Sequence, residues 1–420
     1  MPLTKASFAV INVAGTITST TVGNSTSIPS ITFDQNGVIS AVSNTAISGA
    51  GITANTVANS AFQTGSVENY LRGANLDFGM RNRIINGAMV ISQYNGTSSV
   101  TPTTNQYTLD RWRSLAGGAN SKYSVQQNAG SVTPPAGFTN YFGVTSLSAY
   151  SVGTSDYQGL VQKIEGYNVA DLGWGSANAK TVTLSFWVRS SLTGTFGGAI
   201  GNAGHDRSYP FTYTISSANT WTQISVTIAG DTTGTWLTDN SVGIQVFFGL
   251  GVGSSASGTA GSWAGVQYFS ATGATSVVGT NGATWYITGV QLEEGSVPTP
   301  FEYRQYGTEL ALCQRYFAKL GGTTSNEGIG AGNLQDVASS GWFYVKYPVT
   351  MRAAPTASYS SLRATNNADY NLTVSSIRGQ ISGVDSSNMG FNFSSSGTTY
   401  YPVQLQTSAT AGFLSFSAEL

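Results

Sequence analysis

Short stretches of alternating or β-branched apolar residues recur along most of the chain and predict β-strands. Within residues 80–306 the clearest are TVTLSFWV at 181–188, WTQISVTI at 221–228, VGIQVFF at 242–248 and TWYITGVQL at 284–292. Loops rich in Gly, Ser, Asn and Thr separate them, and no helical period intervenes for any length. The pattern favours an all-β fold, with an antiparallel jelly-roll β-sandwich over residues 80–306.

A second group of strands follows residue 321. The segments are GWFYVKYPV at 341–349, NLTV at 371–374, GFNF at 390–393 and GFLSFSAEL at 412–420. Their apolar content and spacing resemble those of the first group. They predict a smaller β-sandwich over residues 322–420.

One helix is predicted between the two groups of strands. Thr308 can cap the segment 309–320, and Gly321 stands where a helix would end. The apolar side chains of this segment recur at helical spacing. Residues 307–321 are therefore predicted to form a short connecting helix.

The first 79 residues contain only short apolar pieces and no tryptophan. Residues 28–40 predict two short strands, because Asn36-Gly37 supplies the positive φ angles of a tight hairpin. Weaker echoes of this pattern follow at 46–59. Such pieces cannot bury their apolar residues alone. We interpret residues 1–79 as a fibre-like shaft in which copies from several chains stack, and a flexible linker is the alternative.

Composition narrows the classes of partner. Charged residues make up 9% of the 420 residues, the formal net charge is −1, and 51 residues are glycine. No basic patch is available for phosphate groups, so neither nucleic acid nor an anionic membrane is an expected partner. No apolar run of membrane-spanning length is present, and the first 15 residues lack the long apolar segment of a signal peptide. Hydroxyl- and amide-rich surfaces suit neutral polar ligands, of which sugars are the obvious class.

Patterns for catalysis or metal binding are sparse. His205 is the single histidine and Cys313 the single cysteine. Neither a His/Cys metal cluster nor a disulfide within the chain is therefore expected, and no cofactor is predicted. His205 itself lies in a segment typical of an exposed loop.

A glycan hydrolase would need two carboxylates placed across a sugar bond. Asp156 with Glu165, or Asp231 with Asp239, are conceivable pairs. Turn capping and charge balance account for the same residues, and no repeat of solenoid length supports a polysaccharide-cleaving fold. The prediction is a protein that is not an enzyme.

Aromatic residues in loops are the positive signal for ligand binding. A sugar presents C–H groups on one face, and these stack on the electron-rich faces of aromatic rings. The loop residues Trp174, Trp236 and Trp263, together with Tyr400 and Tyr401 between two predicted strands, are the candidate glycan-binding residues. Four tryptophans that lie in strand patterns are predicted to be core residues instead: Trp112, Trp187, Trp221 and Trp285.

Seven segments of residues 80–320 form a recognisable series: RNRIINGAM at 81–89, LDRW at 109–112, QKIEG at 162–166, LSFWV at 184–188, ITGVQLE at 287–293, TPFEYR at 299–304 and ELALCQRYF at 309–317. In content and order they resemble a domain common in bacteriophage tail-fibre and related virion proteins. The segment ITFDQNGVI at 31–39 resembles a short repeat of phage fibre shafts.

The central region is also similar to jelly-roll carbohydrate-binding modules. The shared features are Asn86-Gly87, SFW at 185–187, WTQ at 221–223 and a late strand near 286–287. Those modules often carry an Asp pair beside a structural calcium in the late strand. Thr288-Gly289 stands there in this chain, so no metal is predicted.

These resemblances imply a homotrimeric fibre in the phage tail of the virion, assembled in the host cytoplasm. Its N-terminal segment would join other phage tail proteins, and residues 322–420 would be the distal, receptor-binding part. The expected function is adhesion to host-surface polysaccharide or lipopolysaccharide. Two alternatives stay open: a tail-associated polysaccharide-degrading enzyme, and a fibre that connects other tail components without touching the host.

Overall fold

The computed structural model describes residues 27–35, 39–46, 80–103, 105–366 and 370–420. The chain divides into two compact units, Met1–Tyr70 and Leu71–Leu420. Strands dominate the described residues of both, which confirms the all-β class. Among the described residues, no helix is long and apolar enough to cross a membrane.

The first unit contains an antiparallel pair of strands, β1 (Ser27–Phe33) and β2 (Ile39–Ala46). Ser30 faces Ser43 in the register, and the register shifts at the Thr32/Phe33 step. The two predicted strands are therefore confirmed. The predicted Asn36-Gly37 turn and the echoes beyond residue 46 lie outside the described residues.

Thirteen strands between residues 106 and 294 build the central part of the second unit. Consecutive pairs are mostly antiparallel, and three short 3-10 turns (Ala129–Ser131, Gly166–Asn168 and Ala170–Leu172) lie in the connections. The strands are β3 (Gln106–Leu109), β4 (Trp112–Gly117), β5 (Tyr123–Gln127), β6 (Phe142–Ser146), β7 (Tyr157–Glu165), β8 (Val182–Ser190), β9 (Gly194–Gly201), β10 (Ser208–Ile215), β11 (Thr222–Ile228), β12 (Val242–Val252), β13 (Ser257–Gly258), β14 (Ser270–Ala271) and β15 (Thr284–Glu294).

Eleven of these strands form two facing sheets, which confirms the predicted jelly-roll sandwich, and β13 and β14 form a separate parallel pair. One sheet has the order β10-β9-β12-β7-β4-β3 and the other β11-β8-β15-β6-β5. Alternate side chains of each strand point between the sheets, where they form one continuous apolar core. Crossovers between the sheets bring the loops of distant segments to the same end of the sandwich.

Two of the four tryptophans predicted for the core are there. Trp112 and Trp285 are 0% exposed, and their indole N–H groups donate to Asn86 O and to the hydroxyl of Tyr213, both at 3.1 Å. Trp187 and Trp221 are half-buried instead, so that prediction is wrong for them. Trp187 points outward because its two neighbours in β8 fill the core and successive strand residues face opposite sides.

The connecting helix differs from the prediction. Helix α1 spans Tyr306–Gln314, with Thr308 inside it and no side-chain cap at Gln305. The following segment, Phe317–Gly321, is strand β16 and not the end of a longer helix. It leaves the helix because it pairs along its length with strand β24 (Phe413–Ser417).

Seven further strands complete the C-terminal part, and the second β-module predicted there is present. β17, β18, β22, β21, β20 and β23 close into a barrel, while β16, β24 and β19 form a three-stranded sheet over the same core. The larger sheet closes on itself because β17 pairs with both β18 and β23. The strands are β17 (Gly328–Leu334), β18 (Ser340–Lys346), β19 (Thr356–Ser360), β20 (Leu362–Thr365), β21 (Asn371–Ser382), β22 (Ser386–Phe393) and β23 (Pro402–Thr407).

Charged and aromatic side chains join the sandwich to the C-terminal strands. Arg315 holds the buried carboxylate of Glu165 through two hydrogen bonds of 2.6 and 2.9 Å, and the Tyr316 hydroxyl donates to the same group at 2.6 Å. Arg111, which is 1% exposed, pairs with Glu419. We call these five residues the junction. They lie between sequence segments that are far apart, so they tie the sandwich to the strands that follow it.

Candidate functional site

The three tryptophans predicted from their loops meet at one end of the sandwich. The ring centroid of Trp174 lies 4.7 Å from that of Trp236 and 5.3 Å from that of Trp263, and the last two are 5.5 Å apart. All three contacts are edge-to-face, the arrangement that the quadrupoles of aromatic rings favour. We call these three residues the tryptophan cluster.

Backbone carbonyls fix the orientation of each ring in the tryptophan cluster. The indole N–H of Trp174 donates to Lys180 O at 2.8 Å, and that of Trp263 donates to Ala229 O at 2.8 Å. Trp236 donates to Thr233 O at 3.2 Å. A ring whose N–H has an acceptor and whose neighbours are packed against it has little freedom to rotate. The three indoles are therefore held in fixed positions before any ligand arrives.

Close backbone approach brings the loops of the tryptophan cluster together. Gly175 has a φ of +83° and donates its N–H to Asp231 O at 2.7 Å. A Cβ at this position would lie 2.8 Å from the carbonyl oxygen of Gly234. Only glycine permits both the left-handed backbone and this approach. The loop that carries Trp174 is thereby joined to the loop that carries Trp236.

An ion pair supports the same loops from beneath. Asp231 is 2% exposed and accepts two hydrogen bonds from Arg207, at 2.6 and 2.7 Å. Burial alone would raise the pKa of Asp231, but the hydrogen bonds from Arg207 and Thr233 hold it below its usual value. The guanidinium of Arg207 lies 5.9 Å from the ring centroid of Trp263. The positive charge of Arg207 is therefore neutralised inside the protein by Asp231.

A cavity of about 140 Å³ opens beside Trp174 and Trp236. Ser176 and Thr238 are exposed residues of its wall, and Ser176 Oγ donates to Gly173 O at 2.6 Å while it accepts from the Asn178 N–H at 3.1 Å. Trp263 is not part of the wall and packs behind it, 5.3 Å from the ring of Tyr209. Every lining residue is uncharged: Val169, Ala170, Gly173, Trp174, Ser176, Trp236, Leu237, Thr238, Gly243 and Ile244.

The two hydroxyl residues of the cavity were not predicted from the sequence. A usable signal was present, because each follows a loop tryptophan by two positions, as WGS at 174–176 and WLT at 236–238. Within a turn, that spacing places a hydroxyl close to the ring. The third loop tryptophan, Trp263, is followed by Ala-Gly and does not line the cavity.

Tyr400 and Tyr401 lie on the barrel and do not join the tryptophan cluster. Tyr400 is 68% exposed and has a positive φ of 60°. Tyr401 packs edge-on against Tyr370, with 5.2 Å between ring centroids, and its carbonyl accepts from the Leu334 N–H at 3.0 Å. The adjoining strands line a wide cleft of about 570 Å³ with uncharged side chains, among them Asn333 and Gln404.

Groups for hydrolysis or metal binding do not gather in the part of the chain that the structure describes. No cluster of three or more His, Cys, Asp or Glu residues is placed to hold a metal there. His205 lies exposed in a turn with a φ of 57°. The four carboxylates considered as acid pairs each have a structural partner: Asp156 with Tyr150, Glu165 with Arg315, Asp231 with Arg207, and Asp239 with the Ser241 N–H.

No protein-family model matches the sequence, and no curated protein matches it either. One similar solved structure is the enzymatically active domain of tailspike protein 4 from bacteriophage CBA120. It has a TM-score of 0.25 and 14% identity, and the match covers 51% of this chain but only 21% of the tailspike chain.

Two other similar structures are matched over their whole length. One is a protein of Bacteroides thetaiotaomicron provisionally assigned as sugar-binding, with a TM-score of 0.31 and 12% identity, covering 51% of this chain and 100% of that one. The other is the family 11 carbohydrate-binding module of Clostridium thermocellum in complex with a mixed-linked tetrasaccharide. Its TM-score is 0.25 and its identity 13%, over 49% of this chain and 100% of that one. At such scores and identities we infer function from this chain's own residues.

Proposed function

We propose that this chain is an adhesive subunit of a bacteriophage tail fibre that binds a neutral glycan of the host surface. The glycan-binding site is the cavity beside Trp174 and Trp236. A sugar ring stacks its C–H face on the exposed part of Trp236, and its hydroxyls bond to the Thr238 hydroxyl and donate to the remaining lone pair of Ser176 Oγ. The glycan belongs to a host polysaccharide or to the sugar chain of a lipopolysaccharide.

The observation that carries this proposal is the combination of locked indoles with an uncharged cavity wall. Aromatic side chains with a few fixed polar groups are the usual lining of small-ligand sites. No charged side chain lines this cavity, so an anionic or cationic ligand would find no partner in its wall. Sugars match it because they combine an apolar face with neutral hydroxyl groups.

The fibre part of the proposal rests on the residues at 81–317 that resemble tail-fibre domains, and on the hairpin at 27–46. The proposed assembly is a homotrimer in the phage tail, joined to other tail proteins through its N-terminal segment. Binding without catalysis fits the structural partners of the four carboxylates. Sedimentation of the whole protein at micromolar concentration tests the assembly, and a monomer there would contradict it.

The binding site is tested with the variants Trp236→Ala and Thr238→Val. Surface polysaccharide from a bacterium that the phage infects is titrated in a calorimeter or on a sensor surface. We expect Trp236→Ala to weaken binding by at least about tenfold and Thr238→Val by a few-fold. Trp221→Ala, a half-buried tryptophan elsewhere on the sandwich, is the control and retains wild-type affinity. Equal affinity in all four proteins would exclude the cavity.

The two alternatives have their own readouts. Incubation of the protein with the same polysaccharide, followed by an assay for new reducing ends, tests for a hydrolase; turnover would replace the adhesin with an enzyme. Competition of the intact protein with phage adsorption tests for a connecting fibre. A folded trimer that fails to compete would assign the chain to a connection within the tail.

A further inference from the structure

Tryptophan side chains in this protein differ in whether the indole N–H has a partner. All eight tryptophans lie in the described part of the chain. Among the described residues, no acceptor is within hydrogen-bond distance of the Trp187 or Trp342 indole nitrogen. A half-buried indole without an internal acceptor keeps its donor available to a ligand. The other six donate to a backbone carbonyl or a hydroxyl: Trp112, Trp174, Trp221, Trp236, Trp263 and Trp285.

Trp342 lies flat on the outer face of the barrel. Its neighbours in β18, Phe343 and Val345, point into the barrel core, so alternation turns Trp342 outward. A Cβ built on Gly390, its partner in β22, would lie 3.2 Å from three atoms of the indole. A Cβ on Gly379 in β21 would lie 3.2 Å from the indole Cη2. The two glycines let one face of the ring lie on the backbone while the half-buried side chain keeps contact with solvent.

Neutral side chains lie on the strands next to this ring. Asn333 faces Trp342 across the β17–β18 pair and is exposed. Tyr344, 55% exposed, faces the exposed Asn388, which in turn faces Ile381, 66% exposed. Amide and hydroxyl groups therefore stand around an apolar centre. The strand register fixes their places, because alternate residues of neighbouring strands share one face.

We propose that the barrel face around Trp342 is a second glycan-binding surface, which we call the Trp342 face. It takes a neutral pyranoside whose flat C–H face stacks on the indole, as β-glucosyl and β-galactosyl residues would. The amides of Asn333 and Asn388 and the free indole N–H bond to the sugar hydroxyls. This site lies on a different module from the cavity beside Trp236 and does not depend on that cavity.

The size and charge of the Trp342 face favour a sugar over a second protein chain. Stable protein interfaces bury about 800 Å² on each partner, which takes roughly 20 to 30 residues. The apolar centre of the Trp342 face consists of three side chains, Trp342, Tyr344 and Ile381, and is small by that standard. Two cations lie beside it: Arg378, whose Nη1 donates to Ser340 Oγ at 2.9 Å, and Lys346, an exposed residue two positions after Tyr344 in β18. A surface with a free donor, neutral amides and little apolar area suits a small neutral ligand.

The test uses the intact protein labelled with 5-fluorotryptophan, whose eight fluorine signals are assigned by single Trp→Phe variants. Cellohexaose and β-1,4-galactohexaose are the probes, each raised to millimolar concentration. We expect at least one of them to shift the Trp342 signal in a saturable way. Trp342→Ala then weakens the binding of that probe by at least about tenfold, and Trp221→Phe leaves it unchanged.

Three results would overturn the proposal. One is that neither cellohexaose nor β-1,4-galactohexaose shifts the Trp342 fluorine signal in a saturable way. Another is binding that survives Trp342→Ala at wild-type affinity. The third is a smaller oligomer for Trp342→Ala by sedimentation, which would make the face a contact between subunits. A shift at Trp236 without one at Trp342 supports only the cavity, and the reverse supports only the Trp342 face, so the two sites are judged separately.

Discussion

The junction and the tryptophan cluster each hold distant segments together, but with different groups. At the junction, the buried carboxylate of Glu165 pairs with Arg315, which is 31% exposed, between the sandwich and the strands that follow it. In the tryptophan cluster, ring edges and backbone carbonyls make most of the contacts, and the one ion pair, between Arg207 and Asp231, lies beneath the rings. In both places, ion pairs join one segment of the protein to another.

The comparison of the junction with the tryptophan cluster helps to explain why the protein surface carries few charges. Only 9% of the residues are charged, and several of those charges are buried between modules or under loops. The two surfaces that we assign to ligands are lined by aromatic rings, amides and hydroxyls. A protein built in this way can be specific for neutral ligands, because several of its charges already have partners inside the protein.

The largest effect is expected from Trp174→Ala, because this ring is 8% exposed and contacts both other members of the cluster. Loss of a buried tryptophan costs about 4 kcal/mol of unfolding free energy. Denaturant unfolding measures it. Tyr303→Ala, at a residue that is 58% exposed, is the control and should change stability by less than about 1 kcal/mol. If Trp174→Ala were equally mild, the cluster would not hold the loops.

A smaller effect is expected at the junction from Glu165→Gln. The change removes the carboxylate that Arg315 and Tyr316 bind, and because Arg315 is 31% exposed and can be rehydrated, we expect a loss of about 2 kcal/mol. The matched control is Glu294→Gln, which breaks the exposed pair with Lys180 and should cost less than about 1 kcal/mol. Thermal unfolding of both variants measures the difference. Equal losses would mean that burial does not strengthen the junction.

The pH dependence of stability tests two buried carboxyls, Glu419 of the junction and Asp110 beside it. Burial raises the pKa of Asp110 to about 6 and that of Glu419, despite Arg111 beside it, to about 7. A carboxyl with a raised folded pKa binds its proton more tightly when folded. Its stabilisation is complete below the unfolded pKa and is lost as the pH rises through the folded one.

The melting temperature should therefore fall by a few degrees from about pH 5 to about pH 8. Asp110→Asn keeps an acceptor for Gln93 and should flatten this slope, whereas Asp239→Asn at the surface should not. Calorimetry across the range measures it. A slope that rises with pH in the wild type would contradict the assignment.

The smallest effect is expected from salt on glycan binding. Exposed charges are screened over about 8 Å at physiological ionic strength, but a neutral sugar in an uncharged cavity has no charge to screen. Affinity for the polysaccharide should change by less than about twofold between low and high salt. Titration at two salt concentrations measures it. A steep decline would point to an anionic ligand and to a different surface.

Much of the fold was predictable because strand alternation is a local property. The pattern at 181–188 predicted β8, and the NG hairpin predicted β1 and β2. The end of helix α1 was not predictable in the same way. Residues 317–321 have helical spacing, yet they pair with β24, almost a hundred positions further on, and no local pattern reports that partner.

Individual residues of the candidate site could be predicted from the sequence, but their assembly into one site could not. Loop composition singled out Trp174, Trp236 and Trp263, but their convergence depends on sheet crossovers that a linear pattern does not contain. Trp342 was missed although a signal existed. The strand predicted at 341–349 has Phe343 and Val345 at alternate positions, and that parity already turns Trp342 outward.

Strand pairing at the start of the C-terminal part has a further consequence. Gly321, at the end of β16, faces Phe413, at the start of β24, so the intervening segment leaves and rejoins the three-stranded sheet at neighbouring points. That segment also contributes β19, which pairs with β24. The whole barrel is therefore an insertion between two neighbouring strands, and its loops can change in length or sequence without altering the strand order of the sandwich.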